Sequence, residues 1–166
     1  ITDDTEMALC IARSLVEHEG FEPADIADRF VAWYESGPFD IGLMTADALP
    51  QIKAGASWDE AGQTVWEQRP EGQNAGNGSV MRCVPHALAF ADDHEILVEV
   101  SRQSSAITHA DPRCMAGCAI LNGTVARLIK GCDDPLVDSL SRLDNVPAEL
   151  RDALAPIPDG TEETEF

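Results

Sequence analysis

The chain has 166 residues, enough for one domain with a sizeable core, and 44% of them are hydrophobic, which excludes a disordered acidic chain. Against 30 Asp and Glu there are 11 Lys and Arg, for a formal charge of -19, which excludes a nucleic-acid groove. The only lysines are Lys53 and Lys130, and an acidic, lysine-poor surface is the composition of a protein kept soluble in a high-salt cytoplasm, where screening removes most self-repulsion.

Thr2-Asp3-Asp4-Thr5 stands directly before the stripe Met7, Ala8, Ile11, Ala12 and Leu15, which ends near Gly20, so a helix is expected over 4–18. The acidic run has two readings. Thr2 or Asp3 caps the helix and the carboxylates favour its positive end. Alternatively, adjacent carboxylates that raise one another's pKa hold a hard divalent cation, with hydroxyls and water completing its oxygen ligands. Pro23 opens a second helix with an apolar face of Ile26, Ala27, Phe30, Val31, Trp33 and Tyr34, and Gly37-Pro38 ends it. A third is expected over 41–54, kinked or shortened by Pro50, and a fourth behind the capping box Ser57-Trp58-Asp59-Glu60. The polar, glycine-rich segment from Pro70 to Ser79 then leads into one buried helix over 80–90, bent at Pro85. Another follows over 93–107. After Thr108-His109-Ala110, Asp111 is a good N-cap and Pro112 a good first residue for a long helix that stops at Gly131. No alternating pattern of useful length appears, so the fold class is all-α.

The cysteines, Cys10, Cys83, Cys114, Cys118 and Cys132, form no CxxC pair, and no histidine completes a zinc site beside Cys114 and Cys118; they read as small buried thiols of a reducing cytosol. Trp33, Trp58 and Trp66 read as core, His18, His86 and His94 as surface or loop, and Arg82 as the partner of a carboxylate inside the bundle. No apolar run spans a bilayer and no signal peptide is present, which points to the cytoplasm.

Three polar segments stand out: Thr2-Asp3-Asp4-Thr5, Gly76-Asn77-Gly78-Ser79-Val80-Met81-Arg82, and Thr108-His109 before Asp111-Pro112. Each lies at a helix entrance. Such entrances can converge at one end of a bundle, where they would hold a cation and a phosphorylated ligand.

In this order, the three segments resemble the motifs of the ADP-ribosylglycohydrolase family, and Gly37-Pro38-Phe39-Asp40-Ile41-Gly42 is similar to that family's loop between early helices. The resemblance implies an orthogonal multi-helix bundle around two Mg²⁺ or Mn²⁺ ions. It implies hydrolysis of the bond between ADP-ribose and a modified protein side chain or a small ADP-ribosyl compound, with no membrane partner. By position, Thr2, Asp3 and Asp4 would be metal ligands, and Asp3 and Asp4 would also serve catalysis. Asn74, Gly76, Asn77, Gly78, Ser79 and His109 would bind the ligand. The family's acidic N-terminal segment and its C-terminal Gly-Asp-Thr-Asp-Thr motif have no match here. Residues 1–155 are therefore expected to form a partial domain, incomplete at both ends and inactive alone, and 156–166 an acidic loop or cut connection. A catalytically silent ADP-ribose-binding or structural protein on the same scaffold is the alternative.

Overall fold

A computed structural model describes residues 2–155; the acidic segment 156–166 lies outside the described residues. Among the described residues ten helices follow one another: α1 (Asp3–His18), α2 (Pro23–Glu35), α3 (Leu43–Lys53), α4 (Trp58–Gln68), α5 (Gly78–Arg82), α6 (Pro85–Ala89), α7 (His94–Ala106), α8 (Pro112–Ile129), α9 (Pro135–Ser141) and α10 (Ala148–Leu154). There is no strand among the described residues, as the absence of alternation requires.

The predicted helix signals act where they were expected. Pro23 and Pro112 occupy first-turn positions, where the missing N–H costs no helical bond. Asp111 accepts from the Arg113 N–H at 2.8 Å as an N-cap should, and Asp93, a cap not named from the sequence, accepts from the Ile96 N–H at 3.1 Å. Glu60 reaches back to the Ser57 N–H at 3.4 Å, while the Ser57 hydroxyl donates to Asp59. Pro50 shortens nothing: α3 runs on to Lys53, and the Ala54 N–H bonds the Pro50 carbonyl at 3.0 Å. The expected single helix over 80–90 is two, because Pro85 cannot donate and starts a new first turn. Sequence reading assigns no element after Gly131, yet α9 and α10 are present; each has seven residues, too few for a visible stripe.

The main core joins Met7, Ile11 and Leu15 of α1 to Ile26, Phe30 and Trp33 of α2, with Leu49 and Ile107 closing it. Met44 and Ala48 of α3 meet Ala61 and Val65 of α4. Leu143, with Leu136, Leu140, Leu150 and Leu154, covers Ala119 and Ile120 of α8. Small residues let α7 and α8 pack closely: Ser101, Ser104 and Ser105 face Ala116, Ala119 and Asn122, all buried. Asn122 Nδ2 donates to Ser101 Oγ at 2.8 Å, and that hydroxyl donates to the Leu97 carbonyl at 2.6 Å, a polar seam in the interior that leaves the Asn122 Oδ1 without a partner among the described residues. The short helix α5 touches α1, α7 and α8, so the glycine segment before it is set against the start of α1 and the segment before α8.

Some expectations about individual residues are overturned. His86 is neither surface nor loop. It is fully buried, with Nδ1 2.9 Å from the Cys83 carbonyl and its ring edge-on to Phe21. Trp66 is only half-buried and hydrogen-bonds Asp111 rather than filling the core, and Trp58 is likewise half-buried against the main cluster. Cys10, Cys83, Cys114 and Cys118 are buried free thiols, whereas Cys132 is partly exposed. No described helix is long and apolar enough to cross a membrane.

Candidate active site

Asp3 and Asp4, Gly76, Asn77 and Gly78, and His109 line one cleft of about 270 Å³, so three segments far apart in sequence meet at one end of the bundle. Leu43 and Met44 from the start of α3, Met81 of α5 and Arg69 complete much of its wall. Arg69 is held by Asp47. The loop residues Gly76 and Asn77 also border a larger apolar groove of about 530 Å³, walled by α8 and the Leu150 and Leu154 side chains of α10.

The two carboxylates are half-buried in the first turn of α1. Burial first, and then the neighbouring Asp3, raise the Asp4 carboxyl above its usual range; Asp40 adds to this and the Arg82 charge opposes it. Asp40, in the loop before α3, is thus near enough for its charge to act on Asp4, although it does not line the cleft and sequence reading gave it no role. Its Oδ1 accepts from the adjacent Ile41 N–H at 2.8 Å. A divalent cation at Asp3 and Asp4 would relieve this repulsion, so the hard oxygen donors fit one side of a Mg²⁺ or Mn²⁺ site. Among the described residues no group of three His, Cys, Asp or Glu side chains stands close enough to enclose a metal.

Not every proposed residue reaches the cleft. Thr2 is exposed outside it, with Oγ1 3.3 Å from Thr5 Oγ1, and makes no side-chain cap bond. Asn74 lies in a neighbouring depression with Trp66, Asp111 and Arg113, and its Oδ1 accepts from Arg113 Nη2 at 3.5 Å. Ser79 is buried, accepting from Ser105 at 2.9 Å and from the Cys118 thiol at 3.5 Å. Only its backbone would be available to a ligand.

His109 is buried, with Nδ1 2.7 Å from Thr108 Oγ1 and the Nε2 edge against Gly76 and Gly78. A Cβ built on Gly78 would stand 3.2 Å from Cε1, a tight contact that would require the buried ring to shift by a few tenths of an ångström, so glycine suits the position. Desolvation, with help from the Arg82 charge, lowers His109 to about 3, so the ring is neutral at pH 7. Arg82 is itself 1% exposed and does not pair with a carboxylate as expected. Its Nη2 donates to Thr108 Oγ1 at 2.6 Å, its Nη1 meets Met7 Sδ at 3.5 Å, and the guanidinium sits 4.6 Å from the Phe30 ring centre. Beside the cleft, Asp111 takes both forks of Arg113, at 2.9 and 2.8 Å, which holds its carboxyl below the usual range.

The buried histidines set a pH dependence. His86 is lowered to about 4 and His109 to about 3, chiefly by burial, against 6.5 for an exposed ring. Unfolding therefore takes up protons below pH 6.5, and stability that is full above that value is lost as pH falls. Each ring is expected to remove about 2 kcal/mol by pH 5. Urea midpoints measured at pH 7 and pH 5 would check this, and equal midpoints would contradict the buried, neutral rings.

An all-α bundle that gathers paired carboxylates, a glycine loop and a neutral imidazole at one end has the layout of a site for a cation and an anionic ligand. Over residues 1–165 the sequence matches the ADP-ribosylglycohydrolase family, and the chain belongs to it. It is 36% identical over 131 residues to the ADP-ribosyl-[dinitrogen reductase] glycohydrolase of Rhodospirillum rubrum, a match covering 79% of this chain and 42% of that one. An ADP-ribosylarginine hydrolase of Serratia proteamaculans is 34% identical over 138 residues, covering 78% of this chain and 36% of its own length. In structure, an ADP-ribosylglycohydrolase-related protein complex superposes with a TM-score of 0.70 at 27% identity, over 95% of this chain and 52% of that one. The chain thus spans about half, or less, of the length of the relatives it matches.

Proposed function

We propose that the protein of which this chain forms a part hydrolyses the glycosidic bond between ADP-ribose and a modified side chain or small acceptor, in a divalent-metal-dependent reaction. One observation carries the reading: Asp3 and Asp4, the Gly76-Asn77-Gly78 loop and His109 share a single cleft. Asp3 and Asp4 would hold Mg²⁺ or Mn²⁺ through their carboxylate oxygens. The family resemblance implies a centre of two ions, to which these two carboxylates would contribute part of the ligand set. When bound, the metal would orient the ribose hydroxyls and lower the pKa of a water. Backbone N–H groups of the glycine loop donate to the pyrophosphate, which approaches closely because no Cβ intervenes. His109, neutral, donates to phosphate or ribose. Water adds at the anomeric carbon, the bond to the acceptor breaks, and the acceptor leaves with a proton. Thr2 could reach a metal only by turning towards the cleft, and Asn74 and Ser79 act through the loop they anchor. The formal charge of -19 supports a setting in a salty cytoplasm.

Incubating the full-length protein with ADP-ribosylated arginine or serine peptides and Mg²⁺ is expected to release ADP-ribose. Binding of ADP-ribose without release from any acceptor, with either metal, would select a catalytically silent binding protein instead. No binding would refute both.

A further inference from the structure

We propose that Thr108 and Arg82 are positioning residues that lock His109 in the tautomer carrying its proton on Nε2, so that the ring donates a hydrogen bond into the cleft beside Gly76 and Gly78. The identity of the acceptor, an oxygen of ADP-ribose, rests on the function proposed above; the lock itself does not.

The argument follows the protons. A guanidinium only donates, and Arg82 Nη2 stands 2.6 Å from Thr108 Oγ1, so that oxygen accepts from Arg82. Thr108 is fully buried, and its hydroxyl proton needs an acceptor inside the protein. Among the described residues the hydroxyl has one further partner, His109 Nδ1 at 2.7 Å. The proton therefore goes to Nδ1, which must be bare, and a neutral ring then carries its own proton on Nε2. The opposite tautomer would aim two donors at the hydroxyl and leave its proton buried without a partner.

The other edge of the ring is open by design of the loop. A Cβ at Gly76 would stand 3.5 Å from Nε2, and one at Gly78 would stand 3.3 Å from it. At Gly78 a side chain would press on this edge of the ring, whereas at Gly76 it would meet Nε2 at ordinary van der Waals distance, so Gly78 is the position that keeps the donor uncrowded. Arg82 is well placed to act as the fixed end of the relay, because Phe30 and Met7 hold its guanidinium from α2 and α1. The helix that begins at Gly78 thus also carries the residue that orients the imidazole.

Two-bond proton–nitrogen spectra of the ¹⁵N-histidine-labelled protein at pH 7, assigned with a His109→Gln variant, read the tautomer directly. The expected spectrum shows His109 Nδ1 as a bare acceptor and Nε2 as protonated. Thr108→Val is expected to mix the two tautomers and, where they are equally populated, to weaken ADP-ribose binding about twofold, since affinity falls with the fraction of the binding-competent form. Thr108→Ser, which keeps the hydroxyl, is expected to restore both. A proton on Nδ1 in the unaltered protein would overturn the lock, and so would an unmixed Nε2 tautomer in Thr108→Val. Mixed tautomers with unchanged affinity would overturn the donor role. If Thr108→Val fails to fold, the spectra of the unaltered and Thr108→Ser proteins still decide. If the unaltered protein binds no ADP-ribose, the functional reading falls, while the spectrum still judges the lock.

Discussion

Replacing Gly62 with alanine is expected to destabilise the fold by roughly 3 kcal/mol, although alanine is the better helix former by about 1 kcal/mol. Gly62 is buried in α4, and a Cβ there would collide with the Ala106 carbonyl oxygen at the end of α7, with the Ala106 and Ile107 carbonyl carbons each 3.1 Å away. These are backbone atoms and cannot rotate aside. Relief would require moving the helix end that leads directly into Thr108 and His109, so loss of stability and displacement of the imidazole are expected together. Urea denaturation measures the first. A Gly62→Ala protein as stable as its parent would show that α4 and α7 do not approach so closely.

In the full-length protein, Asp4→Asn is expected to reduce hydrolysis on the order of 10³-fold, as for loss of a group that holds a catalytic metal, while leaving the fold at least as stable. The reason for the second half is electrostatic. Burial and Asp3 act most strongly against the Asp4 charge, Arg82 offsets them only in part and Asp40 adds to them, so removing the charge relieves a repulsion that a bound cation would otherwise relieve. If the acidic pair served only to favour the start of α1, the opposite pattern would hold. Stability would then fall by about 0.5 kcal/mol and turnover would be untouched. Turnover and thermal midpoint measured on the same variant separate the two readings of Asp3-Asp4 that the sequence leaves open.

Much of this architecture was legible beforehand, and the failures share a cause. The helices α1, α2, α4, α7 and α8 announce themselves because each repeats an apolar face over several turns between recognisable caps. The division into α5 and α6 is not visible in the sequence because periodicity continues across Pro85 although hydrogen bonding does not. The helices α9 and α10 were missed because seven residues barely complete two turns. His86 was misplaced because a lone histidine carries no local sign of burial; what buries it is packing against Phe21 and the bond to Cys83. Arg82 was expected to meet a carboxylate, as buried cations ordinarily do. A hydroxyl, a thioether and an aromatic face take that place, drawn from three other segments.

By itself, the sequence determined the helical class, the family and the residue types of the cleft, because caps, apolar stripes and short polar motifs are local patterns. The tertiary structure alone decided which of those residues share a space. It placed Asp3, Asp4, Gly76, Asn77, Gly78 and His109 together, left Thr2 and Asn74 outside, and turned Ser79 inward. It also brought Asp40 to bear on Asp4 and Arg82 to Thr108. Those pairings depend on how helices distant in sequence pack, and burial in that packing sets the charge state of His109 and raises the cost of two adjacent carboxylates.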